Sequence, residues 1–272
     1  MTQQSVGKLE LPGEELDVAK MPGHWLLARL GKRVLRPGGL TMTRSLLKGL
    51  SIGPTDDVVE FAPGLGVTAR MILEQHPLRY VGVERDASAA QWTARHLPAF
   101  PSVSVVTGAA DTTGLPAGSA SIVVGEAMLS MNTREHKQRI AAEAFRLLRP
   151  GGRYGIHELC ITPDHMPDEE KQAIDHALSS AIHVGARPLR TQEWKSLLEE
   201  AGFRIAETGY APMHLLQPGR VIQDEGLLGA LRLAKNILLD APARRRVFAM
   251  RKVFQQYRSN LSAIFIVAHK EG

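Results

Sequence analysis

The sequence predicts an α/β fold in which helices cover both faces of a doubly wound, mainly parallel sheet of seven strands. Three observations predict it. Short apolar runs typical of buried strands alternate with helical stripes between residues 57 and 159. A glycine-rich turn joins the first strand to the helix that follows it. The 272 residues, 44% of them hydrophobic, suffice for one large domain with inserted helices.

Two helices are predicted before the sheet. Apolar residues recur at helical spacing in residues 25–35, and the Pro-Gly-Gly at 37–39 ends that helix. Thr41 is the predicted cap of a second helix that reaches residue 47. We therefore expect an N-terminal helical cap over residues 1–52.

The core that follows is predicted over residues 53–210. Its first five strands are expected at 57–61, 80–84, 103–106, 121–124 and 153–159. The helices between them are expected at 67–75, at 87–96 with Asp86 as cap, and after a capping box of Asn132 and Glu135, with the Pro-Gly-Gly at 150–152 ending the last one.

After the fifth strand the pattern predicts two helices, a strand, two more helices and a last strand. These are expected at 167–182, at 191–202 with Thr191 as cap, at 203–207, at 223–237, at 243–257 and at 261–268. The whole chain is then one domain, in which residues 211–258 are a helical insertion and residues 259–272 hold the final strand.

Composition excludes several classes of protein. A single cysteine, Cys160, excludes an internal disulfide framework and a cysteine-rich metal site. The first twenty residues lack the charged and then apolar layout of a signal peptide, so we expect a soluble, cytoplasmic protein. The net charge of +5 is concentrated, because residues 215–258 hold nine basic and three acidic residues.

The turn after the first strand carries the strongest chemical signal. Gly64, Gly66 and Ala69 satisfy the pattern G-x-G-x-x-[GA], and Glu84 follows Gly66 by 18 residues at the end of the next strand. This pattern alone fits an NAD-dependent oxidoreductase as well. The acidic Glu60 just before the glycines favours a ligand with cationic groups, because a carboxylate there would repel a pyrophosphate.

Further motifs follow in a fixed order. They are Glu60 to Gly66, Asp111-Thr112, Glu126 after the fourth strand, and the segment 147–152. In this order they resemble the class I S-adenosylmethionine-dependent methyltransferases, in the small-molecule group that includes the ubiquinone and menaquinone C-methyltransferases. The resemblance spans about residues 57–203. It implies a Rossmann-like fold with S-adenosylmethionine as cofactor, bound by the core at residues 53–210.

The resemblance also implies roles for individual residues. The implied cofactor-binding residues are Glu60, Ala62, Gly64, Gly66 and Thr68 around the methionine and ribose, Glu84 on the ribose hydroxyls, Arg85, Asp111 and Thr112 near the adenine, and Glu126 near the sulfonium. Ala62 departs from the family, which usually has a glycine there. Ser130 and Met131 occupy a region where many relatives have a histidine.

Candidate catalytic and substrate residues come from position in the predicted fold. His157 and Glu158 lie at the carboxyl end of the fifth strand, where open α/β sheets bind ligands, and His157 is the preferred base. Alternation along the strand allows only one of the two to face the cleft. The candidate substrate residues are His24, Trp25, Met128 and His183, and no ligand spacing indicates a metal site.

We therefore expect O-methylation of a hydroxyl on an amphiphilic or anionic small molecule. The alternatives are C-methylation of a quinone-like or lipid substrate, an RNA methyltransferase, an NAD-dependent oxidoreductase and a non-catalytic binding protein. A nucleic-acid partner is not expected, since aromatic residues for base stacking are few. The basic segment 215–258 is expected either to cover the site or to contact a lipid surface.

Overall fold

One eight-stranded sheet organises the part of the chain that the computed structural model describes, residues 11–272. The strands are β1 (Asp57–Phe61), β2 (Arg79–Glu84), β3 (Val103–Thr107), β4 (Ala120–Glu126), β5 (Leu148–Ile161), β6 (Leu189–Arg190), β7 (Phe203–Pro212) and β8 (Leu261–Lys270). Their spatial order is β3-β2-β1-β4-β5-β8-β7, and β6 pairs with β5 beside this path. Strands β1 to β5 are parallel, whereas β8 is antiparallel to β5 and β7.

The predicted α/β sheet, doubly wound and mainly parallel, is confirmed. The predicted count of seven strands is corrected to eight, because the two-residue strand β6 is too short to leave an apolar pattern in the sequence. The helices are α1 (Gly23–Arg29), α2 (Gly39–Leu50), α3 (Val67–Leu73), α4 (Ala87–His96), α5 (Arg134–Leu147), α6 (Asp168–Ile182), α7 (Thr191–Glu200), α8 (Pro218–Leu239) and α9 (Ala241–Gln256). Residues 1–10 of the predicted N-terminal cap lie outside the described residues.

Helix caps decide where the helices begin. Asp86 caps α4 as predicted, since its carboxylate accepts a hydrogen bond of 2.8 Å from the backbone N–H of Ser88. The predicted capping box at Asn132 is wrong by one residue, because Thr133 caps α5 instead. The Asn132 amide turns back and donates to the carbonyl oxygen of Met128 at 2.8 Å.

Three other predicted boundaries are also corrected. Helix α1 ends at Arg29 rather than at residue 35, because the chain turns at Gly31 with φ of +104°. Helix α2 begins after Gly38 in the left-handed conformation, so Thr41 lies inside the helix and does not cap it. Thr191 is the first helical residue of α7, and the cap is Arg190.

The sheet separates two apolar layers. On one face α5 and α7 pack against residues such as Val59 and Val123. On the other face α2 and α3 pack against the alternate residues Val58 and Ile122. Helices α1, α6, α8 and α9 form further apolar clusters beyond the carboxyl ends of the parallel strands, where they enclose the space next to β1, β4 and β5. Among residues 11–272, no helix is both long and apolar enough to cross a membrane.

Candidate active site

Two adjoining cavities lie at the carboxyl ends of the parallel strands. The larger is an open cleft with about 1460 Å³ of empty space, and it is lined by the turns that follow β1, β2, β3 and β4. The smaller has about 690 Å³ of empty space, open solvent included, and lies between α1, α6 and α9. Four residues line both cavities: His24, Leu35, Ala127 and Met131. The two spaces therefore meet at a common wall.

The turn after β1 brings backbone to the edge of the cleft. Ala62, Gly64 and Gly66 all adopt positive φ angles, of 52°, 56° and 71°. A Cβ placed on Gly64 would meet no heavy atom closer than 3.9 Å, so its side of the chain faces open space. A Cβ on Gly66 would lie 3.3 Å from the Thr93 side chain, so Gly66 permits α3 to pack against α4. Ala62 stands where the related family usually has a glycine, and the turn is nevertheless open. The positive φ of Ala62 is a strained conformation for an alanine.

Glu84 ends β2 with its carboxylate at the wall of the cleft. The backbone N–H of Gly64 donates to it at 3.1 Å and that of Asp86 at 3.2 Å. Burial raises the pKa of Glu84, while these backbone donors oppose the rise. The carboxylate is thereby held in one orientation toward the cleft, as a group that binds neighbouring hydroxyls must be.

Glu60 lies on the cleft wall beneath the glycine turn and is buried. The phenolic hydroxyl of Tyr80 donates to its carboxylate at 2.6 Å. Burial raises the pKa of Glu60 to about 8, although the Tyr80 hydrogen bond opposes the rise. Burial therefore favours the neutral form of Glu60, and a cation placed beside it would favour the ionised form.

Glu126, at the end of β4, lies at the centre of a buried polar network. Its carboxylate forms an ion pair with Arg36 and accepts hydrogen bonds from Thr68 and, at 2.8 Å, from Thr43. His157 Nδ1 lies 2.6 Å from the same carboxylate. Burial opposes ionisation of Glu126, but Arg36 and His157 outweigh it and hold the pKa at about 2.

Arg36 lies at the cleft, although the sequence did not predict it as a site residue. Its guanidinium also donates to the Thr68 hydroxyl, so one side chain joins the loop before α2 to α3 and β4. The residue lines the cleft and lies directly before the Pro-Gly-Gly segment 37–39. In the sequence, Arg36 is a single basic residue in a connecting loop. Such a residue cannot be distinguished from a basic residue that is exposed to solvent.

The structure does not support His157 as the base. The ring is completely buried and lines neither cavity. Its Nδ1 faces the Glu126 carboxylate, and its Nε2 lies 2.5 Å from the carbonyl oxygen of Pro37. Both ring nitrogens thus face acceptor oxygens, so neither has a lone pair free for a substrate proton. The prediction is corrected: His157 anchors the loop at Pro37 to the sheet.

Glu158 has a similar anchoring role. Its carboxylate accepts hydrogen bonds from the backbone N–H groups of Met128, Leu129 and Ser130 at 2.7–3.0 Å, and from the Ser130 hydroxyl at 2.7 Å. Four donors occupy the oxygens of this buried carboxylate, so it fixes the 3₁₀ turn at Leu129–Met131. Glu158 touches the smaller cavity only as part of its wall, and the predicted catalytic role is corrected to this positioning one.

The predicted adenine contacts are only partly at the cleft. Arg85 lines it, whereas Asp111 and Thr112 do not. Asp111 is paired with His136 and Arg139, each at 3.2 Å. The residues that line the cleft after β3 are 108–110, directly before the predicted pair. Of the three residues predicted near the adenine, only Arg85 therefore belongs to the cleft wall, and Asp111 and Thr112 follow the lining residues in the chain.

Three of the four predicted substrate residues line the cavities. Trp25 and Met128 line the larger cleft, and His24 lies where the two cavities meet. The His24 ring lies 4.7 Å from that of Trp25, and burial lowers the pKa of His24 to about 4, an effect that Asp86 opposes. His183 is exposed at the end of α6 and lines neither cavity, so that prediction is wrong.

The smaller cavity is apolar. Its walls consist mainly of aliphatic and aromatic side chains, among them Leu27, Leu178, Met213, Met250 and Phe254. Within residues 11–272, no group of three or more histidine, cysteine, aspartate or glutamate side chains is arranged to hold a metal ion.

Comparison with known proteins shows the family to which this chain belongs. Residues 58–152 match a family model described as a methyltransferase domain. An "uncharacterized protein" of Haemophilus influenzae is 32% identical over 251 residues, which are 91% of this chain and 98% of that protein. The chain belongs to the class I S-adenosylmethionine-dependent methyltransferases. It is an enzyme, and S-adenosylmethionine is its cofactor.

Two further similarities agree with this family. The methyltransferase is 27% identical to the O-methyltransferase resE of Aspergillus sclerotiorum over 167 residues, 61% of each chain. A solved structure of phosphoethanolamine N-methyltransferase 2 from Haemonchus contortus, in complex with phosphomonomethylethanolamine and S-adenosylhomocysteine, aligns with a TM-score of 0.69. At 14% identity, over 92% of this chain and 58% of that one, this likeness shows the shared fold. The family membership also separates the chain from the NAD-dependent oxidoreductases that share its glycine pattern.

The residues present fit the cofactor of the methyltransferase. The open space beside Gly64 admits a ligand against the backbone of the turn, where a side chain would fill it. The Glu84 carboxylate lies at the same wall, with backbone donors fixing its position. A nucleoside with free ribose hydroxyls matches this pair of features.

Proposed function

We propose that the methyltransferase transfers a methyl group to a hydroxyl oxygen of a small, largely apolar molecule. The apolar cavity beside the cofactor cleft carries this proposal, because its aliphatic and aromatic walls suit an acceptor that is largely apolar. The similarity to the O-methyltransferase resE supports oxygen as the accepting atom.

The cofactor is assigned to the larger cleft. Glu84 would accept hydrogen bonds from the ribose hydroxyls, and the turn at Gly64 would contact the nucleoside through its backbone. Glu60 would lie near the cationic methionine end, where a positive charge favours ionisation of its carboxyl group. When bound, S-adenosylmethionine supplies a methyl group activated by a positively charged sulfur.

His24 is the proposed base. Among the four residues that line both cavities, it is the titratable one. Burial lowers its pKa to about 4, so the ring is neutral at pH 7 and carries a lone pair. No hydrogen bond within residues 11–272 occupies its nitrogens. His24 would take the hydroxyl proton of an acceptor in the apolar cavity, which leaves the oxygen as the nucleophile.

Cofactor binding tests the assignment of the cleft. Isothermal titration calorimetry should detect binding of S-adenosylhomocysteine, and Glu84→Ala should weaken it by more than about tenfold, since charge-assisted hydrogen bonds contribute about 1.5–3 kcal/mol. Glu74→Ala, at an exposed glutamate after α3, is the matched control and should change nothing. An unchanged affinity in Glu84→Ala would contradict the assignment.

Transfer itself tests the acceptor. The protein and S-adenosylmethionine with a tritiated methyl group would be incubated with a panel of hydroxylated aromatic and terpenoid compounds. Labelled product should appear, and NMR should locate the methyl on oxygen; a methyl on carbon would favour the C-methyltransferase alternative. His24→Gln should lower kcat by about 100-fold or more while the affinity for S-adenosylhomocysteine stays constant. A variant with unchanged kcat would exclude His24 as the base.

A further inference from the structure

The surface of α8 carries an exposed apolar ridge, defined as Leu227, Leu228, Leu231, Leu238 and Leu239. Their exposed fractions range from 59% to 79%. Eleven large hydrophobic side chains are exposed among residues 11–272, and seven of them lie between residues 222 and 248. This concentration exceeds the scatter of single apolar residues that ordinary protein surfaces show.

The ridge occupies one side of the helix. At 100° per residue, its five leucines fall within an arc of about 120°. The buried Leu233 lies on the opposite side and packs against the cluster around α1. Helix α8 thus has two apolar faces, of which one is covered by the protein and the other is open. A helix that served only to cover the active site would need the inner face alone.

Basic residues accompany the ridge. Lys235 lies within the arc and Arg232 at its edge, and both are exposed. The Arg244 guanidinium donates at 2.6 Å to the carbonyl oxygen of Leu238, so the basic start of α9 lies beside the end of the ridge. Helix α9 adds an exposed face with Arg245 and Lys252.

The acidic residues of this region are directed elsewhere. Asp224 accepts from the backbone N–H of Leu40, and Glu225 accepts from that of Arg33. Asp240 caps α9. From residue 226 to 239 the sequence contains no aspartate or glutamate. The charged residues of the segment that carries the ridge, residues 226–239, are therefore all positive.

We propose that this ridge docks the methyltransferase on the surface of a lipid bilayer that contains anionic lipids. The leucines enter the boundary between headgroups and acyl chains, and the neighbouring lysine and arginines contact anionic headgroups. A second copy of the chain fits the observations less well, because an identical ridge would bring the same positive charges together. The inner side of the docked helices faces the catalytic region, since Met250 and Phe254 of α9 line the apolar cavity.

Vesicle sedimentation tests the proposal with the full chain. The protein should sediment with vesicles of phosphatidylcholine and about 30% phosphatidylglycerol, and much less with phosphatidylcholine alone. Raising the salt from about 0.1 M to about 0.5 M should weaken binding several-fold, because salt screens exposed charges. Equal binding to both kinds of vesicle, or no binding to either, would overturn the proposal.

Two sets of variants separate the ridge from its surroundings. Leu228→Glu with Leu239→Glu should reduce binding to anionic vesicles more than about tenfold. Leu78→Glu, at another leucine that is 59% exposed, should have no effect. The milder pair Arg232→Gln and Lys235→Gln should remove most of the salt dependence, with Lys48→Gln as control.

Circular dichroism melting would verify that each variant is folded. Binding that persists unchanged in the leucine variant would refute the docking surface. Sedimentation equilibrium without lipid addresses the second copy: a dimer that the leucine variant dissociates would also overturn the proposal. The test does not depend on methyl transfer, so it can fail while the proposed function stands.

Discussion

Replacing Glu126 by glutamine tests whether the buried network holds the active site together. Glu126 is ionised among Arg36, His157, Thr43 and Thr68, and its side chain is only 6% exposed. Glu126→Gln keeps the size of the side chain but removes the negative charge. The substitution therefore leaves the buried Arg36 without its partner, which is the costly way to disrupt a buried ion pair.

The expected loss of stability follows from the pKa of Glu126. The value falls from an ordinary 4.5 to about 2. At about 1.4 kcal/mol per pKa unit, this difference corresponds to about 3 kcal/mol in the free energy of unfolding at neutral pH. A depressed pKa contributes stability above pH 4.5, and that contribution disappears as the pH falls toward 2.

Urea denaturation followed by circular dichroism provides the measurement. At pH 7 Glu126→Gln should unfold with a free energy about 3 kcal/mol below the parent protein, and the difference should narrow as the pH falls below 5. Glu74→Gln, at the exposed glutamate after α3, should stay within about 0.5 kcal/mol of the parent. A loss below about 1 kcal/mol, or a difference independent of pH, would refute the reasoning.

Three further predictions follow from single residues. Ala62→Gly should raise the free energy of unfolding in urea by up to about 1 kcal/mol, because Ala62 has a φ of +52°. The control Ala94→Gly, inside α4, should instead lower it by about 1 kcal/mol. If both variants are less stable than the parent protein, Ala62 is not strained. Because the pKa of Glu60 is raised to about 8, the free energy of unfolding of the parent protein should fall as the pH rises from 4.5 to about 8. Glu60→Gln lacks this carboxyl group, so its stability relative to the parent protein should increase over the same range. Curves of unfolding free energy against pH that run parallel in the two proteins would contradict this prediction. Once an acceptor is identified, the rate of methyl transfer to it should fall only below about pH 5, where His24 with its pKa of about 4 becomes protonated. A rate that already falls between pH 7 and pH 6 would assign the proton transfer to another group.

Local patterns in the sequence predicted most strands and helices of the molecule. The strand at Asp57–Phe61 has the predicted bounds, and Asp86 caps α4 as expected. Both depend on neighbours in the chain: alternating or continuous apolar residues for the strand, and a side chain two residues before its donor for the cap. The short strand Leu189–Arg190 was missed, since two residues contain no period.

The candidate site was predicted less completely. Glu84 and Gly64 lie at the cleft as their motif indicated, because a turn between neighbouring elements fixes both. His157 was placed correctly on its strand, but its role depended on partners elsewhere. The Pro37 carbonyl that occupies its Nε2 is 120 residues distant in the chain, and no local pattern reveals such a contact.

The sequence by itself determined the alternation of strands and helices, the glycine turn and the acidic residue at the end of β2. Each of these features depends only on residues that are close together in the chain. The tertiary structure decided which side chains meet. Arg36 and Glu126 are separated by 90 residues and become partners only when the loop before α2 folds over the sheet. His24 reaches the wall between two cavities for the same reason, since burial and proximity belong to the packed molecule.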